Sequence, residues 1–112
     1  MKLINLTRHD VLLKQLGLET LFPRSGTVAR ITESSSYVVR DNLLLKEISN
    51  QRIIGLPPPS EDTILIVSRV VAEHVQREDL VFPDDLIVEN GTVTGCKSLG
   101  FLTSSHKNGE KE

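Results

Sequence analysis

Thr63-Ile64-Leu65-Ile66-Val67 is an apolar, β-branched run that needs burial on both faces, so it must lie at the centre of whatever core this chain builds. Ser68 and Arg69 follow directly, and then Val70, Val71, His74 and Val75 recur at the spacing of one face of a two-turn helix. Ser68 is the expected cap of that helix. A strand-to-helix junction of this kind turns backbone N–H groups, a hydroxyl and a guanidinium toward one spot, which makes it a candidate anion-binding site.

The core around that strand has to be small and aliphatic. A chain of 112 residues has the length of one domain, and aromatic residues make up only 4% of it, with no Trp. That composition argues against the aromatic stacking platform of single-strand nucleic-acid binders. A net charge of −2 argues against a binder that grips phosphate backbones by bulk positive charge, although a local cluster of arginines remains able to hold one small anion. Cys96 is the single cysteine, which excludes an intrachain disulfide and a cysteine-based zinc site and fits a reducing compartment. Met1-Lys2-Leu3-Ile4-Asn5-Leu6 lacks the apolar core of a signal peptide, and nowhere is there an apolar run long enough to span a bilayer. The expectation is a soluble cytoplasmic protein with no cofactor.

Turn signals recur at short intervals, as a sheet-rich chain requires. Leu3 to Thr7 reads as a first strand. Val11–Leu16 and Thr20–Phe22 flank Gly17 as a hairpin that ends at Pro23-Arg24-Ser25-Gly26. Thr27–Thr32 alternates as a further strand, Glu33-Ser34-Ser35-Ser36 reads as a polar surface loop, and Tyr37–Val39 and Asn42–Ile48 are strands broken at Asp41-Asn42. Ser49-Asn50 is expected to turn the chain before Gln51–Leu56, and Pro57-Pro58-Pro59 to act as a stiff extended connector into Thr63. Asn90-Gly91 between two β-rich arms has the composition of a type I′ hairpin turn, because both central residues need positive φ. The fold class expected is α+β, a mostly antiparallel sheet with one short helix after a buried strand. The domain is expected to span 1–102, followed by a disordered polar tail over 103–112.

Chemistry-bearing motifs are sparse. There is no Gly-x-Ser-x-Gly nucleophile turn, no Gly-x-Gly-x-x-Gly and no Walker-type loop, and three scattered histidines do not supply a zinc cluster. Candidate ligand contacts are therefore few, and each has a structural reading beside it. Arg30 lies in an alternating strand, where it is either a solvated residue or a ligand contact. Ser68 is at least a helix cap. Arg69 in a first helical turn opposes the helix dipole at a cost of a few tenths of a kcal/mol to ~1, which a bound anion would offset. His74 on the apolar helical face reads as a core or interface histidine, His9 as a turn residue beside Asp10, and Cys96 beside Lys97 as a buried small hydrophobe.

Asn5-Leu6-Thr7 with His9, Ser25-Gly26-Thr27-Val28-Ala29-Arg30, Gly55-Leu56-Pro57, Ile66-Val67-Ser68, Asp84 with Leu86, and Gly95-Cys96 with Leu99 resemble a family of short uncharacterised phage and bacterial proteins. The resemblance covers roughly residues 3 to 102, and the Ser-Gly-Thr-Val-Ala-Arg block is its most specific part. Arg8 stands where that family usually has proline. A phage-type context implies a small protein that blocks host defences, in some cases by sequestering a nucleotide-derived signal, and the host cytoplasm as its place of action. The resulting expectation is a non-enzymatic binder of a small anionic ligand through Ser68, Arg69, Arg30, Thr27 and His9, a homo-oligomer without a membrane or bulk nucleic-acid partner. Two other readings stay open: a protein-interaction or assembly module, and a small hydrolase of a nucleotide-like substrate.

Overall fold

A computed structural model describes residues 1–103. Thr63–Ile66 forms a strand at the heart of the molecule, and Val67, Leu65 and Ile66 after and within it are almost wholly buried. Numbered along the chain, the elements are β1 (Lys2–Asn5), β2 (Val11–Gln15), β3 (Leu18–Phe22), β4 (Arg30–Arg40), β5 (Leu43–Ile54), β6 (Thr63–Ile66), α1 (Arg69–Val75), β7 (Leu80–Glu89) and β8 (Thr92–Gly100). Six of the strands make one sheet in the order β1-β6-β7-β8-β2-β3, and β4 with β5 makes a separate two-stranded ribbon.

The architecture is α+β, but the six-stranded sheet is mixed and strongly curled where a mostly antiparallel one was expected. β6 pairs in parallel with β1 on one side and β7 on the other, and β2 meets β8 in parallel at Leu13 and Cys96. The reason lies in the helix. α1 carries the chain from the end of β6 back to the start of β7, a crossover that only a parallel pair can use. The sheet curls until its two edges meet: Asn5 bridges to Arg24, and the Ser25 N–H donates to the Asn5 carbonyl at 3.0 Å.

Burial on both faces of β6 follows from this curl. Leu65 and Val67 face α1 and pack with Val71, Ala72, Leu80, Phe82, Leu6 and Ala29. Ile66 faces the inside of the curl with Val11 and Cys96. β6 pairs with β7 only at Leu80 and Val81, so Pro83, further along β7, lies past the end of β6, where a missing N–H costs no ladder bond on that side.

Turn chemistry matches the expectations at three places. Leu16-Gly17, Asp41-Asn42 and Asn90-Gly91 all have positive φ at both central residues, the geometry of tight hairpin turns. Ser68 caps α1 by accepting from the Val71 N–H, and Gln76 closes it in the left-handed region. Two expectations are overturned. Glu33–Ser36 is not a loop but the middle of β4, and Asn50 does not reverse the chain. Asn50, at φ 57°, and Gln51 together oppose the single residue Glu33 between the pairs Thr32–Arg52 and Ser34–Ser49, a bulge that bends the ribbon. Polar side chains are tolerated there because the ribbon stands in solvent on both faces, so its backbone pairing needs no apolar set. It projects far enough to give a radius of gyration of 17.2 Å, against about 13 Å for a compact chain of this length.

The tail expected over 103–112 lies, from Ser104 on, outside the described residues. Among the described residues no helix is long and apolar enough to cross a membrane.

One ion pair ties the helix exit to the triproline connector. Arg77 grips Asp79 with two bonds, of 2.6 and 3.0 Å, and donates to the Pro57 carbonyl at 2.9 Å. The Arg77 guanidinium holds the Asp79 carboxyl below its ordinary value, against the opposing effect of burial. A depressed carboxylate adds stability that is full above its unfolded pKa, about 3.9, and is lost as pH falls through the lower folded value. Wild type is therefore expected to exceed Asp79→Asn in stability by a constant margin at neutral pH that shrinks below about pH 4. Urea melts of both proteins from pH 7 to 2.5 check this, and a margin independent of pH would refute it.

Candidate functional site

The candidate site is built on Asn5, a buried polar residue at the end of β1. Its amide donates to the His9 carbonyl at 2.9 Å and to the Phe22 carbonyl at 2.8 Å, and its Oδ1 accepts from the Thr7 N–H at 2.9 Å. The Thr7 hydroxyl lies 2.6 Å from Asn5 Oδ1 and 2.8 Å from the His9 carbonyl, so its one proton is donated to one of them at a time. Asn5 thus shapes the 6–10 loop and fastens it to the end of β3. The Asn-Leu-Thr-x-His opening is, in this fold, a loop clamp.

A second set of bonds lays the Ser25–Ala29 segment against the same loop. Asp10 Oδ1 accepts from the Arg24 N–H at 2.9 Å, Arg24 Nη1 donates to the Arg8 carbonyl at 3.3 Å, and the Ala29 N–H donates to the Leu6 carbonyl at 3.0 Å. Ala29 is buried, which leaves Arg30 to emerge at the base of the ribbon beside the loop.

Between these parts lies an open cleft of about 350 Å³. Thr7, Arg8 and His9 come from the clamped loop, Arg30 from the start of β4, and Ser68, Val70 and Val71 from the entry to α1. The residues that line it include Arg8, Arg30, His9, Thr7 and Ser68, and neither Asp nor Glu. Opposite charge is what such a lining attracts. Next to it, sharing Thr7, His9 and Ser68, runs a larger groove of about 650 Å³ that is walled by Leu12, Pro83, Leu86 and Val93 and touches Asp10. Among the described residues no three His, Cys, Asp or Glu side chains converge as a metal site.

Of the residues singled out from sequence, His9, Arg30 and Ser68 meet in the cleft. Two do not join them. Thr27 lines a different depression with Ile4, Leu6 and Gly55, and its N–H and carbonyl are held by the Ser25 hydroxyl at 3.3 Å. Arg69 turns away from the cleft, bonds Glu73 at 3.0 Å one helical turn on and sits 5.3 Å from the centre of the Phe82 ring. Its conflict with the helix dipole is offset inside the chain by the Glu73 carboxylate and the ring face, with no anion needed. The helix itself is 7 residues long, and the Ser68 hydroxyl is engaged as its cap, so the cleft draws its charge from Arg8 and Arg30.

Arg8 is the residue that sequence reasoning missed. Nothing in the residue itself singled it out, because an exposed cation in a loop is ordinary until its neighbours are known. His74, expected as a core or interface histidine, is exposed in the last turn of α1, so it is not a core residue. Cys96 is buried, its thiol lies 3.6 Å from the Leu12 carbonyl, and burial pushes its pKa up.

Neither a protein-family model, nor a curated protein, nor a solved structure matches this chain significantly.

Proposed function

We propose that the protein is a non-enzymatic binder of a small anionic, nucleotide-like ligand, held in the cleft between the clamped loop and the base of the ribbon. The observation that carries this reading is the convergence of Arg8, His9 and Arg30 around one cleft whose lining includes neither Asp nor Glu. Two guanidiniums at one opening suit a phosphate, which each can grip with a pair of charge-assisted bonds. The apolar groove alongside, reached past Thr7, His9 and Ser68, would take the uncharged part of the same molecule. Capture of a signalling nucleotide inside a phage-infected cell is the role that fits such a site.

The test is a thermal-shift panel of linear and cyclic mono- and dinucleotides with inorganic phosphate, followed by calorimetric titration of the best ligand. Arg8→Ala and Arg30→Ala are each expected to weaken binding by about 1.5–3 kcal/mol, roughly 10- to 150-fold, the worth of hydrogen bonds to a charged group. Thr27→Ala and Arg69→Ala, outside the cleft, are expected to leave affinity unchanged. A panel in which nothing raises the melting temperature, or unchanged affinity in both arginine variants, would overturn the reading.

A further inference from the structure

Arg69 and Arg77 pair with the carboxylates of Glu73 and Asp79. Arg8, Arg24, Arg30 and Arg52 have no ion-pair partner among the described residues, although the chain as a whole carries a net charge of −2. Arg8 and Arg30 line the cleft, and Arg24 bonds the Arg8 carbonyl at 3.3 Å. Arg52 belongs with them by register. Arg30 is paired with Ile54 and Thr32 with Arg52, so these four residues share one face of the ribbon and Arg30 and Arg52 are diagonal neighbours across it. Such neighbours stand about 7–8 Å apart, within reach of one ligand for side chains of this length. Ile31 and Ile53, next to them in the chain, pack on the core, so the Arg30–Arg52 face is turned to solvent. Where the bulge at Asn50 bends the ribbon, Thr32, Glu33, Ser34, Asn50 and Arg52 border an open hollow of about 540 Å³. Glu33, between Thr32 and Ser34, belongs to the other face, and its Oε1 accepts from the Gln51 amide at 3.1 Å.

We propose that Arg52, with Thr32 and Ser34, forms a second phosphate subsite, so that the ligand of the cleft carries two phosphoryl groups, one held by Arg8 and Arg30 and the other by Arg52 at the bulge. The inference rests on the reading of the cleft as a nucleotide site and narrows its ligand class. One phosphate is satisfied by Arg8 and Arg30, each of which can donate a pair of charge-assisted bonds. A further guanidinium one residue pair along the same face adds like-charge repulsion, which a second negative group on the ligand offsets. A cation beside two hydroxyl-bearing residues is also a common set of phosphate contacts. The bulge accounts for the placement, because an extra residue in one strand re-aims the side chains beside it.

Calorimetric titration with adenosine and guanosine nucleotides tests this, each as the 5′-monophosphate, the 5′-diphosphate with its phosphates adjacent, and the 3′,5′-bisphosphate with its phosphates apart. In at least one series the diphosphate or the bisphosphate is expected to bind roughly 10- to 150-fold more tightly than the monophosphate, the worth of hydrogen bonds to a charged group. Whichever gains more gives the spacing of the two phosphates. Arg52→Ala should remove the gain and leave monophosphate affinity unchanged, whereas Arg30→Ala should weaken every member. Arg40→Ala removes the same charge from the far end of β4 and should change none of them. Far-UV circular dichroism establishes that each variant is folded. Monophosphates that bind with no gain from a second phosphoryl group, a gain that survives Arg52→Ala, or a gain lost equally in Arg40→Ala would overturn the second subsite and leave the cleft reading standing. Failure of every member to bind would overturn it as well.

Discussion

Gly55→Ala is expected to destabilise the protein by at least about 3 kcal/mol, placing it among the largest single-substitution effects available in this fold. A Cβ at this position would stand 2.1 Å from the Val28 carbonyl oxygen, 2.9 Å from its carbon and 3.3 Å from the Ala29 Cα. All three are backbone atoms, so no side-chain rotation relieves the overlap. Gly55 also has φ +82°, a conformation that costs an L-residue roughly 1–2 kcal/mol by itself. The two contributions separate experimentally. Gly17 has φ +78° with open space around it, so Gly17→Ala should show the conformational cost alone, about 1–2 kcal/mol. Urea melts of both variants measure the difference, and equal losses would mean that the segment carrying Val28 yields freely. If it yields, Arg30 moves with it, and ligand affinity should fall even where the fold survives.

Asn5→Ala is expected to cost about 2–4 kcal/mol, because each buried group left without its partner costs about 1–3 kcal/mol and several are released together. The His9 and Phe22 carbonyls each lose the Asn5 amide as donor and the Thr7 N–H loses its acceptor, while the Thr7 hydroxyl stays in reach of the His9 carbonyl. Asn5→Asp should be at least as harmful at neutral pH, since it keeps the shape but sets a carboxylate oxygen against two carbonyl oxygens. Chemical denaturation gives the stability. The same variants, titrated with the ligand under conditions where they remain folded, should bind more weakly, because the clamped loop presents Arg8 and His9. A loss below about 1 kcal/mol would show that the backbone bonds Leu6 to Ile66 and Ser25 to Asn5 hold the loop unaided.

The candidate site was half legible. His9, Arg30 and Ser68 could be named from residue type and position, but Arg69 and Thr27 looked equally suitable and lie elsewhere. The argument for Arg69 weighed its charge against the helix dipole without the Glu73 carboxylate and the Phe82 ring, and the ring comes from a strand that only folding brings near. Arg8 was passed over because an exposed loop cation says nothing until its neighbours are known. Asn5 was noticed as part of a motif, yet its work is done on Phe22, 17 residues away.

What the sequence by itself determined is the local grammar. Asn90-Gly91 and Asp41-Asn42 made hairpin turns because positive φ is cheap for few residue types, and Ser68 capped α1 because its hydroxyl reaches a backbone N–H three residues on. Energies of that kind are settled within a few residues. Tertiary structure alone decided that β6 lies in parallel between β1 and β7, that Glu33–Ser36 continues a strand, and that Asn50 makes a bulge in a ribbon with no second layer of its own. An apolar strand can be satisfied by any neighbour that buries it, and a polar one by any partner that completes its ladder. The choice among neighbours was made by crossover geometry and the closure of the sheet at Asn5 and Arg24, which act across distances that no local pattern records.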